Sequence, residues 1–159
     1  MTISRRLKDY LDSQGVRYEV LSHKVAYTAQ ETAAAQDVTG WKVAKSVVGY
    51  CDGKFLLLVL QAPNVVDFDL LKKQIGCGEA RLANEQEMEE LFPGIELGAE
   101  SPFGNLYNLP VYVDKGLAEM EEIIFNAGSH TETIKMKFED YRNLVRPEII
   151  EIAKMAAVS

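Results

Sequence analysis

Apolar and polar residues alternate along this chain with two different periods, and the points where the period changes divide it into elements. Leu7, Tyr10 and Leu11 recur at helical spacing behind Ser4, a residue type that caps helix N-termini, and Gly15 is placed to end that helix. Val16, Tyr18 and Val20 then alternate with polar neighbours, which predicts a strand over Arg17 to Leu21. Thr28 and Glu31 have the spacing of a capping box ahead of Thr32 to Ala35, so a second helix is expected there, with Gly40 as its stop. Two apolar runs follow, Val43 to Tyr50 and Phe55 to Leu60, joined by Cys51, Asp52, Gly53 and Lys54. Asp52 and Gly53 supply the turn of a hairpin, and the near-continuous apolar character marks both strands as central.

Further on, Asp67 is positioned to cap a helix carrying Leu70, Leu71 and Ile75, closed by Gly76. A strand over Ala80 to Leu82 precedes a helix from Asn84, with Glu87 three residues on and Pro93 and Gly94 as breakers. Beyond a Gly- and Pro-containing loop, Leu109 to Val113, Glu122 to Phe125 and Thr131 to Met136 read as strands, the last two separated by Asn126, Ala127 and Gly128. A helix is expected near Phe138 to Leu144, and the tail from Pro147 to Ala156 fits strand or helix equally. Strands and helices are interspersed without regular alternation, which predicts an α+β fold around a central mixed sheet.

With 159 residues, 47% of them hydrophobic, the chain can bury one core, and no repeat or linker divides it; the expectation is a single domain over residues 1–159. The longest apolar runs, such as Phe55 to Leu60, fall far short of a membrane span, and no apolar signal core follows Arg5, Arg6 and Lys8, so a cytoplasmic protein without a membrane partner is expected. Cys51 and Cys77 lack metal-ligand spacing and are expected to be free thiols. A net charge of −7 changes the picture of partners: it excludes a broad basic surface for nucleic acid and leaves room only for local contacts by a few lysines.

The chemistry begins with absences. The chain has no phosphate-binding glycine loop, no dinucleotide fingerprint and no serine in a nucleophile elbow, and its two histidines, His23 and His130, cannot form a three-histidine metal site. A hydrolase built from this sequence would position a substrate and a water rather than form a covalent intermediate. Four features are candidates. Lys45 lies in a strand of apolar residues, where it is either a snorkelling or ion-paired lysine or an anion contact at the mouth of a pocket. The loop Gly98, Ala99, Glu100, Ser101, Pro102, Phe103, Gly104 is either a plain connection or a stiff backbone that a ligand can approach closely. His130, after Gly128 and Ser129, is either structural or able to orient a water, and His23 with Thr28 reads as turn and helix cap or as part of a site.

The order of these features resembles the YbaK-like family of aminoacyl-tRNA deacylases, also found as the inserted editing domain of bacterial prolyl-tRNA synthetases. The resemblance covers nearly the whole chain. It runs through His23 after the first strand, Thr28 and Glu31 opening an Ala-rich helix, Lys45 before Val47 and Val48, and the segment Arg81 to Leu91. It continues with Gly98, Pro102, Phe103 and Gly104, then Asp114 closing a strand, and Ala127 with Gly128 before the last long strand.

What the resemblance implies is a central mixed sheet wrapped by helices and hydrolysis, in trans, of the ester between a small amino acid and the terminal ribose of a mischarged tRNA. Lys45 would hold the terminal phosphate, and the loop from Gly98 to Pro102, with Ser101, would grip the aminoacyl group and ribose through its backbone. Phe103, Gly104, His23, Thr28, Asp114, Gly128 and His130 would complete the substrate site, with the water activated with help from the substrate itself. No metal or organic cofactor is implied. The partners implied are the acceptor end of an aminoacyl-tRNA and a synthetase. The chain departs from the family pattern at Ser46, where members often carry Thr, and His130 occurs only in some branches. Two other readings remain open: a non-catalytic module that binds a synthetase or an acceptor end, and a small-molecule esterase.

Overall fold

A computed structural model describes residues 5–22, 40–96, 98–129 and 131–155. Helix α1 (Arg5–Gln14) turns Leu7 and Leu11 into the core and stops at Gly15, whose φ of +68° suits glycine. Strand β1 (Tyr18–Ser22) follows. The second helix expected from Thr28 falls outside the described residues, and so do His23 and His130. After a 3-10 turn at Gly40–Lys42 come β2 (Ala44–Cys51) and β3 (Lys54–Gln61), paired antiparallel through a turn in which Asp52 (φ 47°) and Gly53 (φ 91°) both have positive φ, the conformation that the Asp-Gly pair predicts. Leu57, Leu58, Val59 and Leu60 of β3 are all fully buried, each contributing about 1.5–3 kcal/mol.

The remaining elements are β4 (Asn64–Val66), α2 (Phe68–Ile75), β5 (Ala80–Leu82), α3 (Glu85–Leu91), β6 (Val111–Asp114), a single-turn α4 (Lys115–Ala118), β7 (Glu122–Asn126), β8 (Glu132–Lys137), α5 (Phe138–Val145), β9 (Glu148–Ile150) and β10 (Ala153–Met155). Local capping chemistry accounts for two of the helices. Asp67 accepts from the Leu70 amide at 3.0 Å and Gly76 closes α2 in the left-handed region; Asn84 and Glu87 form a complete capping box on α3.

Five strands form a mixed sheet in the order β5-β2-β3-β6-β9, with β2 antiparallel to both of its neighbours and β6 parallel to β3 and β9. β1, β8 and β7 form a second, antiparallel sheet, and β10 pairs with β4. The larger core lies between the two main sheets and includes Leu57, Val59, Phe103, Phe125 and Tyr141; a smaller one, under α2 and β10, includes Leu58, Leu60 and Leu71. The expected α+β architecture with a mixed central sheet is what the chain adopts.

Three expectations need correction or completion. Cys51 and Cys77 are not free thiols: they form a disulfide, with Cα atoms 6.1 Å apart, because pairing of β2 with β5 and the capture of the Gly78 and Glu79 amides by the Asp52 carboxylate (2.8 and 2.9 Å) fold the 76–80 segment back onto the hairpin. The alternation that predicts β1 does not translate into alternating burial, for Val20 is 42% exposed. The ambiguous tail is two short strands, fixed by β6 and β4 rather than by any periodicity of its own.

Candidate active site

Strand β2 belongs to the five-stranded sheet, yet its N-terminal end touches the other one: Val43, just ahead of it, makes a parallel bridge to Ile124 of β7. Residues facing one another across paired strands point to the same side of a sheet. Two residues on from the bridge, Lys45 and Asn126 therefore sit level on neighbouring strands and share a side. Lys45 also pairs with Leu60, and the parallel register of β3 and β6 sets Asp114 level with Leu60. The result is one row across four strands: Asn126, Lys45, Leu60, Asp114.

Lys45 is half-buried, and its ammonium makes no ion pair or hydrogen bond to any described residue. Loss of hydration lowers its pKa from the usual lysine value, and no carboxylate among the described residues pairs with it to raise it again. Asp114 cannot serve as that partner. Two strand spacings, about 10 Å, separate the two residues. Its carboxylate is moreover filled by three backbone amides, those of Gly116 (3.0 Å), Ile152 (2.9 Å) and Ala153 (3.0 Å), through which it caps α4 and anchors the tail.

The loop from Gly98 to Gly104 lies over the end of the β7–β8 hairpin. The Gly128 amide donates to the Ala99 carbonyl at 2.9 Å and the Glu96 amide to the Gly128 carbonyl at 3.2 Å, so the loop is stitched to the hairpin by main chain. Gly98 (φ 87°) and Gly128 (φ 99°) both occupy the positive-φ region that this approach requires. Glu100, almost fully buried, accepts from the Gly98 amide at 3.1 Å, and the Ser101 hydroxyl accepts weakly from the Phe103 amide at 3.4 Å. Pro102 offers its carbonyl to the Tyr141 hydroxyl at 2.7 Å.

Behind the loop, Phe103 is fully buried among Tyr10, Phe125 and Tyr141, with ring centroids 6.0, 5.7 and 5.2 Å away. A Cβ on Gly104 would come within 2.6 Å of Val111 and 3.0 Å of the Leu109 carbonyl. Phe103 and Gly104 thus support the loop from the core side. The structure sets Lys45 where the two sheets meet, ties the Gly98–Pro102 loop to Gly128 just past β7, and leaves Asp114 at the far end of the row. His23, Thr28 and His130 lie outside the described residues.

Two buried polar atoms stand out, one on Ser46, the departure from the family pattern noted above, and one on Asn126. Ser46 Oγ and Asn126 Oδ1 are buried and find no hydrogen-bond partner. In the sequence Asn126 is one of three residues separating two strands, and the signal it carries is that a polar residue closes the apolar run Ile123, Ile124, Phe125. Among the described residues, no three His, Cys, Asp or Glu side chains cluster closely enough to hold a metal ion.

A scan against protein families matches residues 23–144 to the aminoacyl-tRNA editing domain. The chain belongs to this editing family. The Escherichia coli (strain K12) multifunctional Ser/Thr-tRNA deacylase ProXp-y is 28% identical to it over 96% of this chain and 93% of the relative. Among solved structures, the hypothetical protein APE2540 superposes with a TM-score of 0.85 at 18% identity over 94% of this chain and all of the other. A protein provisionally described as a trans-editing enzyme for prolyl tRNA synthetase gives 0.82 at 23% identity, over 94% and 96% of the two chains. The editing-family fold expected from the sequence is therefore present. The family match also bears out the hydrolase class, with aminoacyl-tRNA as its object.

Proposed function

We propose that this chain acts in trans as a deacylase that releases a small amino acid, serine or threonine first among them, from mischarged tRNA. The observation that carries the reading is Lys45: a half-buried ammonium without a protein counter-ion among the described residues, placed where the two sheets meet, next to the strand whose following turn at Gly128 is bonded to the Gly98–Pro102 loop. An unpaired cation in such a place is a site for an anion, and the terminal phosphate of the acceptor end supplies one. The choice of serine and threonine rests on the activity for which the bacterial relative is named.

In the reaction, water adds to the aminoacyl carbonyl carbon, and the tetrahedral intermediate collapses with cleavage of the bond to the ribose oxygen. Of the water's two protons one goes to the ribose oxygen and the other to solvent, and the amino acid leaves as a carboxylate. Lys45 fixes the phosphate, and the loop backbone fixes the ribose and acyl group, so that catalysis rests on positioning. Ser101, Gly128, Thr28, His23 and His130 belong to the same proposed substrate site, while Asp114 serves it only by anchoring α4 and the tail. A second sieve of this kind is needed because one methylene gives a synthetase only about 1–3 kcal/mol of discrimination.

With a net charge of −7, contact with tRNA is confined to a few cations around the pocket and should be weak and salt-sensitive. The setting is the cytoplasm, with the acceptor end as ligand and a synthetase as the second partner. No described helix is long and apolar enough to cross a membrane. The test is deacylation of a panel of tRNAs mischarged with small amino acids, with Lys45→Ala run alongside. Release from seryl- or threonyl-tRNA, reduced about a hundredfold or more in the variant, supports the reading; no release from any member of the panel leaves a binding module instead.

A further inference from the structure

Strand β7 ends in a residue that its surroundings do not use. Asn126 is only 8% exposed, yet its side-chain oxygen makes no hydrogen bond, and leaving a buried amide oxygen unpaired is costly. Its neighbours along the strand, Ile124 and Phe125, are 2% and 0% exposed, so an apolar residue would serve the core better at this position. Two residues beyond the parallel bridge between Val43 and Ile124, Lys45 and Asn126 face the same side on adjoining strands. On the other flank Asn126 pairs with Thr133 of β8, which is fully buried, and two residues further on lies Gly128, which holds the Gly98–Pro102 loop. An amide with an unsatisfied oxygen thus lies on the strand that links the proposed phosphate anchor to the turn holding the loop proposed to grip the acyl group.

We infer that Asn126 is a specificity-determining residue, whose amide hydrogen-bonds the side-chain hydroxyl of the amino acid to be released. The inference rests on the deacylase reading above and deepens it. An amide offers an oxygen that accepts and an NH2 that donates, and a hydroxyl can answer either; a methyl group answers neither. Serine and threonine esters would satisfy Asn126, whereas an alanine ester would leave it buried and unpaired. Discrimination of that sort is stronger than a purely apolar pocket can reach, because the wrong substrate leaves the desolvation of the site uncompensated. Ser46, the other unpaired buried group, points to the opposite side of β2, with Val59, and is not part of this arrangement.

The experiment measures kcat/KM for seryl-, threonyl- and alanyl-tRNA with the wild type, Asn126→Leu and Asn126→Ala. Thermal melts establish that at least one variant is folded, and the readout is the ratio of seryl or threonyl to alanyl activity, which a general loss of structure does not shift. The ratio should fall about tenfold or more in the folded variants. An unchanged ratio with an active wild type overturns the role of Asn126 and leaves the deacylase reading intact. A wild type inactive on all three overturns that reading and this inference with it.

Discussion

The hydroxyl of Tyr141 on α5 donates a 2.7 Å hydrogen bond to the carbonyl of Pro102, tying the candidate substrate loop to the centre of the core. Tyr141 is fully buried, and burial pushes its pKa far above the usual tyrosine value, so it remains a neutral donor at every pH the protein meets. Tyr141→Phe keeps the ring contacts with Phe103 and Phe138 but leaves the Pro102 carbonyl unanswered. The variant should lose about 1–2 kcal/mol in urea unfolding and show a raised KM for deacylation. Unchanged unfolding and kinetics would mean the bond contributes nothing to holding the loop.

Lys45 carries a pH signature of its own. Because its folded-state pKa is lowered by desolvation, the unfolded chain binds the proton more tightly, and stability rises with pH between the folded value and the unfolded value of 10.5. Lys45→Met removes that dependence. At neutral pH the variant should be at least as stable as wild type, and its advantage should shrink as pH climbs toward 10.5. Urea midpoints for both proteins across that range check this; a gap that widens instead would mean the ammonium is paired in solution.

Asp114 is expected to behave as structure. Asp114→Ala strands three amides that the carboxylate now satisfies, at a cost of about 2–4 kcal/mol. Per folded molecule, deacylation should change little. If the variant were as stable as wild type but inactive, Asp114 would be a substrate contact after all.

At the start of α3, Glu87 accepts from Arg81 at 2.8 and 3.0 Å and from the Asn84 amide at 2.9 Å; the arginine and then that amide hold its carboxyl at about 2. Its contribution to stability is present above the ordinary carboxyl pKa of 4.5 and is lost as pH falls through about 2. The melting temperature of wild type should therefore exceed that of Glu87→Gln above pH 4.5, with the difference fading on acidification. A difference that persists at pH 2 would point to packing of Arg81 over Tyr50, 4.3 Å from the ring centre, rather than to charge.

What was legible in the sequence was local. The Asp52–Gly53 turn, the Asp67 cap and the Asn84–Glu87 box each depend on residues within three or four positions of one another, and each forms as expected. Lys45 was legible too, because a charge inside an apolar run breaks the pattern that surrounds it. What escaped depended on pairings between distant segments. The Cys51–Cys77 disulfide requires β5 to lie beside β2, and the significance of Asn126 requires the bridge from Val43 to Ile124. The short strands β9 and β10 owe their conformation to β6 and β4, so nothing in the tail distinguishes strand from helix. Asp114 shows the converse: its place at the end of a strand was visible, but the amides that fill its carboxylate come from the tail.

Strand β2 presents Lys45 to one side and Ser46 to the other, and it is held by β3 along its whole length and by β7 at its start. A slip of one residue between β2 and its neighbours would exchange those two side chains, burying the cation toward the large core and turning a hydroxyl to the place where phosphate is proposed to bind. Insertions and deletions are therefore not equivalent along this segment. An added residue at the exposed Asp52–Gly53 turn can be absorbed in the loop, whereas one between Val43 and Lys45 must either undo the junction of the two sheets or invert the site.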